Sequence, residues 1–170
     1  MNGILKGPAF IHFLVKKIRR KYPNSQIGKT VVQKLMYLIE RELNLDFGYS
    51  MYHYGPFSNQ VAEYLTLAKS IEAIDIEWEP DKGYFIEPRK NKFLENSLGS
   101  REKEVVKKIV DKYGSFSAIK LSIITTAIYV RDNFGVDIDS LVDVVASLKP
   151  QHKREWIREV LEEAGIIKYS

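Results

Sequence analysis

With 170 residues, 45% of them apolar and 12% aromatic, the chain is long enough to bury about 70% of the surface its unfolded form exposes, in one core or in two small lobes sharing one. It has no cysteine, which excludes disulfides, thiolate metal sites and cysteine nucleophiles; with no apolar run of about 18 residues and no cleavable leader, a cytoplasmic protein without membrane contact is expected. The formal charge of +4 is modest but uneven: residues 1–39 hold eight basic side chains and no acidic one, whereas residues 40–79 hold eight acidic and two basic.

Pro8 suits the first turn of a helix, and Ile11, Leu14, Val15, Ile18 and Tyr22 then recur at the spacing of one buried stripe. Pro23-Asn24-Ser25 closes that helix in a turn. A second helix is predicted from about Thr30, where Thr30 and Gln33 have capping-box spacing, to near Asn44, with Val31, Val32, Leu35, Met36, Ile39 and Leu43 as its apolar face. Phe47 to Tyr54 alternates like an aromatic strand, which Gly55-Pro56 should break, since proline has no donor for a ladder. Ser58 is a candidate N-cap for a helix to about Ser70 that buries Val61, Leu65 and Ala68. Ile74, Ile76 and Trp78, then Tyr84-Phe85-Ile86, flank Pro80-Asp81-Lys82-Gly83 as a hairpin with its tip at Lys82.

Residues 89–100 read as a basic connector or short irregular helix, and the remainder of the chain is helical. Ser100 is a candidate cap for a helix to Tyr113 that ends at Gly114. Phe116 to Arg131 is apolar on most sides, and its length argues for a central buried helix in spite of its β-branched residues. Asp137 or Asp139 opens another, and Lys149-Pro150 bends the chain into a last helix with Trp156, Ile157, Val160 and Leu161 inside. The expected fold is therefore α+β and mainly helical, with a winged-helix-like N-terminal half (residues 1–90) carrying a small antiparallel sheet and a helical C-terminal half (residues 91–170) packed on it as one unit.

Few catalytic chemistries fit these residues. His12, His53 and His152 are far apart and show no metal-binding spacing. Gly28-Lys29-Thr30 has the end of a phosphate-binding loop, but position 23 is Pro23 where the first glycine belongs. There is no nucleophile elbow and no dense carboxylate cluster with a supporting histidine. No catalytic residue, metal, cofactor or small-molecule substrate is expected, so the sequence reads as a non-enzymatic regulatory or interaction module. Two kinds of partner fit it. DNA would be met by Lys16, Lys17, Arg19, Arg20 and Lys21 with Lys82, Arg89, Lys90 and Lys92 near the hairpin. A protein partner would be met by Tyr49, Tyr52, His53, Tyr54 and Phe57, since aromatic residues with basic neighbours favour interfaces.

Lys34-Leu35-Met36-Tyr37-Leu38 on a helix, followed by Tyr54-Gly55-Pro56, resembles the Panacea domain of SocA-like antitoxins and phage-associated proteins. The extension Phe57-Ser58 is similar to a YwgA-like branch, and the likeness continues more weakly through Thr125-Thr126 and Leu148-Lys149-Pro150. The resemblance implies a mostly helical fold with a small sheet, no catalysis and, for some relatives, neutralisation of a toxin by direct contact.

Overall fold

The computed structural model describes residues 3–169, without the side chain of Ile4. The fold is α+β and mainly helical: among the described residues, eight α-helices accompany two separate two-stranded antiparallel sheets. A short 3-10 turn leads into α1 (Lys6–Lys21), followed by α2 (Lys29–Leu43), strands β1 (Ser50–Tyr52) and β2 (Gly55–Phe57), α3 (Asn59–Ser70), and strands β3 (Ile74–Glu79) and β4 (Gly83–Pro88). The short α4 (Lys92–Glu95) precedes α5 (Ser100–Tyr113), α6 (Ala118–Phe134), α7 (Ile138–Leu148) and α8 (Arg154–Glu163).

α1 and α2 are more deeply placed than amphipathic stripes require. In α1 every residue from Gly7 to Val15 is buried, and in α2 every residue from Val31 to Glu40. The cause is contact on several sides: α3, α5 and β4 pack on α1, while α5, α6 and β2 pack on α2. One hydrophobic cluster runs from Phe10 and Leu14 through Leu35, Met36 and Ile39 to Val106, Ile124 and Leu161, so the N- and C-terminal halves share a core. α6 is the buried central helix its length implies, apolar on most sides and capped by Ser117, whose Oγ accepts from the Lys120 N–H at 3.2 Å. Trp156 of α8, expected inside, is only half-buried and lies against His152 with ring centroids 4.9 Å apart.

Ser100, expected as a cap, is instead the first residue of α5, whose N-cap is Gly99. Two other local expectations are corrected. The first is the capping box at Thr30: α2 begins at Lys29 with Gly28 as its N-cap and no side-chain cap bond. Gln33 is instead drawn into tertiary contact, its Nε2 donating to the Ser58 carbonyl at 2.8 Å and its Oε1 accepting the Ser58 N–H at 3.0 Å. The second concerns Gly55-Pro56, which does not end the sheet. The strand reverses at His53-Tyr54 and Gly55-Pro56-Phe57 forms the return strand, with Ser50 opposite Phe57, Met51 opposite Pro56 and Tyr52 opposite Gly55. In a two-stranded ribbon both strands are edges, so the missing proline donor is tolerated.

Ser58 then ends the ribbon and starts α3. Its Oγ donates to the Phe47 carbonyl and accepts the Val61 N–H at 3.0 Å, while Val61, Leu65 and Ala68 are buried below. The β3–β4 hairpin turns through Pro80-Asp81-Lys82, and Glu79 pairs with Gly83 at its tip. Among the described residues no single helix is long and apolar enough to cross a membrane.

Candidate functional site

The nine basic residues singled out in the sequence fall into two groups. Five are already engaged with carboxylates: Lys16 with Glu95 at 2.9 Å, Arg19 with Glu87 at 2.6 Å, Lys21 with Asp111 at 2.6 Å, Arg89 with Asp75 at 3.2 Å, and Lys82 loosely with Glu79 at 3.8 Å. Arg19 does more than pair. Its guanidinium also donates to the Pro23 and Ser25 carbonyls, each at 2.8 Å, so it ties α1 to its following turn and to β4. Lys17, Arg20, Lys90 and Lys92 have no ion pair among the described residues.

Lys17 and Arg20 meet two lysines that the sequence pattern does not single out. Lys103 and Lys107 of α5 stand across a shallow crevice that Phe13, Lys16 and Lys17 line from α1. The Lys17 ammonium lies 5.1 Å from the Phe13 ring centroid and that of Lys103 lies 5.9 Å from the same ring. Partial burial, with the charges of Arg20, Lys107, Lys16 and Lys103 added to it, lowers the Lys17 pKa. This is like-charge crowding, which a polyanion would relieve. α1 and α5 are some ninety residues apart in the chain, so only their packing reveals the ridge.

The hairpin carries the opposite charge. Asp75, Glu77, Glu79 and Asp81 are exposed along β3 and its turn, around an edge-on pair of Trp78 and Tyr84 with centroids 4.9 Å apart. Lys82 and Arg89 are therefore embedded in acid rather than continuous with the α1 ridge. α3 is similarly unsuited to phosphate contact, exposing Asn59, Gln60, Glu63, Thr66 and a single cation, Lys69.

The five aromatic-ribbon residues also divide. Tyr49 is half-buried and already engaged: its hydroxyl donates to the Gln33 carbonyl at 2.6 Å, its ring packs edge-on against Tyr37 at 5.2 Å, and burial holds its pKa well above 10.0. Tyr52, His53 and Tyr54 are exposed at the ribbon tip, with Phe57 half-buried against Tyr52 at 5.3 Å between centroids. Leu148, at the end of α7, adds an exposed aliphatic side chain beside them.

Under the ribbon lies a polar group that the sequence marked only through its family likeness. Lys34, buried in α2, donates from Nζ to the Pro56 carbonyl at 2.8 Å, and burial, with the charge of Lys149 in second place, lowers its pKa to about 8. This bond fastens the return strand to α2 and accounts for a lysine inside the core. Thr126 of α6 faces the same backbone: a Cβ added at Gly55 would stand 2.6 Å from its Oγ1, and the φ of +101° at Gly55 also favours glycine. Lys34, Gly55, Pro56, Thr126 and Lys149 are thus gathered from four separate stretches of chain.

Among the described residues there is no cluster of three or more histidine or carboxylate side chains suited to a metal ion. No family model matches the chain, and no curated protein matches it.

Proposed function

We propose that this protein is a non-enzymatic interaction module, winged-helix-like in its N-terminal half, that holds duplex DNA by its phosphate backbone along the ridge formed by α1 and α5. The observation that carries this reading is the meeting of Lys17 and Arg20 with Lys103 and Lys107, with no carboxylate paired to any of the four among the described residues. Phosphate neutralisation supplies affinity without sequence choice. The acidic β3 strand and the cation-poor α3 argue against base reading by the hairpin or by α3. Fluorescence anisotropy with a labelled duplex at several salt concentrations tests it: log K falls linearly with log salt, by about 0.9 for each phosphate neutralised. Absence of binding at low salt refutes the reading.

A second reading is supported by a different surface. Tyr52, Tyr54 and Leu148 are exposed together, with Phe57 behind them, at the tip of a rigidly anchored ribbon. An adaptor or antitoxin-like protein, the role implied by the Panacea-domain likeness, would hold its partner there through aromatic anchors. Co-expression with the product of an adjacent gene tests it; a stable complex that Tyr54→Ala dissolves supports it, and failure of every neighbouring product to co-purify counts against it.

A further inference from the structure

The cations of this protein are mostly at the surface and many have a carboxylate partner, yet two of the most deeply buried have none among the described residues. Lys34 and Lys149 are each 2% exposed. The three protons of Lys34 meet one acceptor, the Pro56 carbonyl, and Lys149 makes no side-chain hydrogen bond or ion pair among the described residues. Thr126 Oγ1, on a residue 1% exposed, is also without a partner there. Burying two ammonium groups near one another with no counter-charge is among the costlier arrangements available to a fold.

These groups do not lie in separate places. Gly55 brings them together, because the space a side chain would fill there is bounded by Thr126 Oγ1 at 2.6 Å and Lys34 Nζ at 3.5 Å. A cleft of about 410 Å³ opens over this point, and Thr126 and Lys149 are in its wall. Tyr52, His53 and Leu148 line its outer part. The floor is therefore cationic and hydrogen-bonding, and the mouth is aromatic and aliphatic.

We propose that the cleft between the β1–β2 ribbon, α6 and the end of α7 is a binding site for a phosphoryl group, bound through Lys149 and Thr126, with the Lys34 ammonium adding its charge from beneath Gly55. The Lys149 ammonium pairs with one oxygen of a phosphate monoester and the threonine hydroxyl donates to another, while the nearby Lys34 charge adds to the attraction. The bound oxyanion supplies the counter-charge that Lys149 lacks among the described residues. The cleft has room for more than the phosphoryl group, and the flat cover of Tyr52 and His53 suits an aromatic body such as a nucleoside attached to it. The site is independent of DNA binding, since none of its residues belongs to the α1–α5 ridge.

Isothermal calorimetry at constant ionic strength, with inorganic phosphate and with adenosine monophosphate as separate probes against a chloride background, tests the assignment. Saturable binding of either probe is expected. Tighter binding of the monophosphate identifies a phosphoryl group carried on a larger molecule, and equal binding identifies free phosphate. Lys149→Met should weaken binding by at least about tenfold, as loss of a charge-assisted hydrogen bond does, and Thr126→Val by a smaller factor. Lys107→Met, which alters only the exposed ridge, should leave it unchanged. Because Lys149 has no hydrogen-bonding or ionic partner to lose among the described residues, Lys149→Met should melt no lower than the wild type without phosphate, which separates lost binding from lost folding. No saturable signal from either probe, or equal affinity in the wild type and Lys149→Met, overturns the proposal. Equal weakening by Lys107→Met also overturns it, since that would mark general attraction to a basic surface.

Discussion

The α1–α5 ridge and the cleft under the β1–β2 ribbon both collect cations without carboxylate partners among the described residues, but they do so in different environments. On the ridge, Arg20 and Lys107 are exposed and Lys17 and Lys103 only half-buried, so their repulsion is largely screened by salt and costs the fold little. In the cleft, Lys34 and Lys149 have left water, and their pKa values are lowered chiefly for that reason. Exposed cations suit a long, repetitive polyanion; buried ones suit one compact group that fits. The contrast concerns dielectric and geometry rather than residue type.

The largest expected effect is at the floor of the cleft. Gly55→Ala places a methyl 2.6 Å from Thr126 Oγ1 at a backbone φ of +101°, and should cost roughly 2–4 kcal/mol in urea unfolding. Gly135→Ala, also at positive φ but with open space around it, should cost about 1 kcal/mol. Equal costs at the two glycines would remove the case for a crowded floor.

Next comes the ridge. Replacing Lys17, Arg20 and Lys107 together by alanine should reduce DNA affinity by roughly one to two orders of magnitude and flatten the salt dependence by about 0.9 for each phosphate no longer neutralised. The same protein should unfold at an unchanged or slightly higher urea concentration, because like charges have been removed. A marked loss of stability would mean that these side chains belong to the structure.

A third difference lies in the pH dependence of stability. Lys34 is held at about 8 in the folded protein against its ordinary 10.5. Between those values the unfolded chain binds more protons, so the contribution of Lys34 makes stability rise with pH through that window and leaves it flat below. Lys149, lowered by burial, acts in the same direction. Tyr37 and Tyr49, both raised mainly by burial, act oppositely once the unfolded tyrosines ionise near 10.0. Urea midpoints measured from pH 7 to 9.5 should therefore rise in the wild type relative to Lys34→Met. Parallel profiles would show that Lys34 titrates normally.

The smallest effect distinguishes two neighbouring arginines. Arg19→Ala removes a bidentate pairing with Glu87 and two hydrogen bonds to carbonyls, and should destabilise by about 1–2 kcal/mol. Arg20→Ala should stay within about 0.5 kcal/mol. Reversal of that order would place the structural anchor at Arg20.

Much of the architecture was legible because it is local. Ser58 caps α3 as its position before an apolar helix implies, Pro80 to Gly83 turns the hairpin, and the helix expected from Phe116 to Arg131 forms as the buried α6, Ala118–Phe134, because a run that long and apolar has nowhere else to go. Where local reading erred, a longer-range partner had claimed the residue. Gln33 holds the Ser58 backbone instead of capping α2, and Pro56 enters a strand because a two-stranded ribbon leaves its nitrogen at an edge.

The candidate sites were less legible for the same reason. The concentration of basic residues in the first 39 positions is a sequence property, but which of them remain free depends on distant acids: Glu95 takes Lys16, Glu87 takes Arg19 and Asp111 takes Lys21. Lys103 and Lys107 join the ridge only because α5 lies along α1. The sequence by itself determined the mainly helical α+β class, the positions of most helices and the absence of thiol chemistry, since periodicity, caps and composition act within a few residues. Tertiary structure alone decided that Gly55, Thr126 and Lys149 line one cleft with Lys34 beneath Gly55. No periodicity brings together residues so far apart in the chain, and whether a lysine is a solvated charge or a buried one in want of an anion depends on what packs around it.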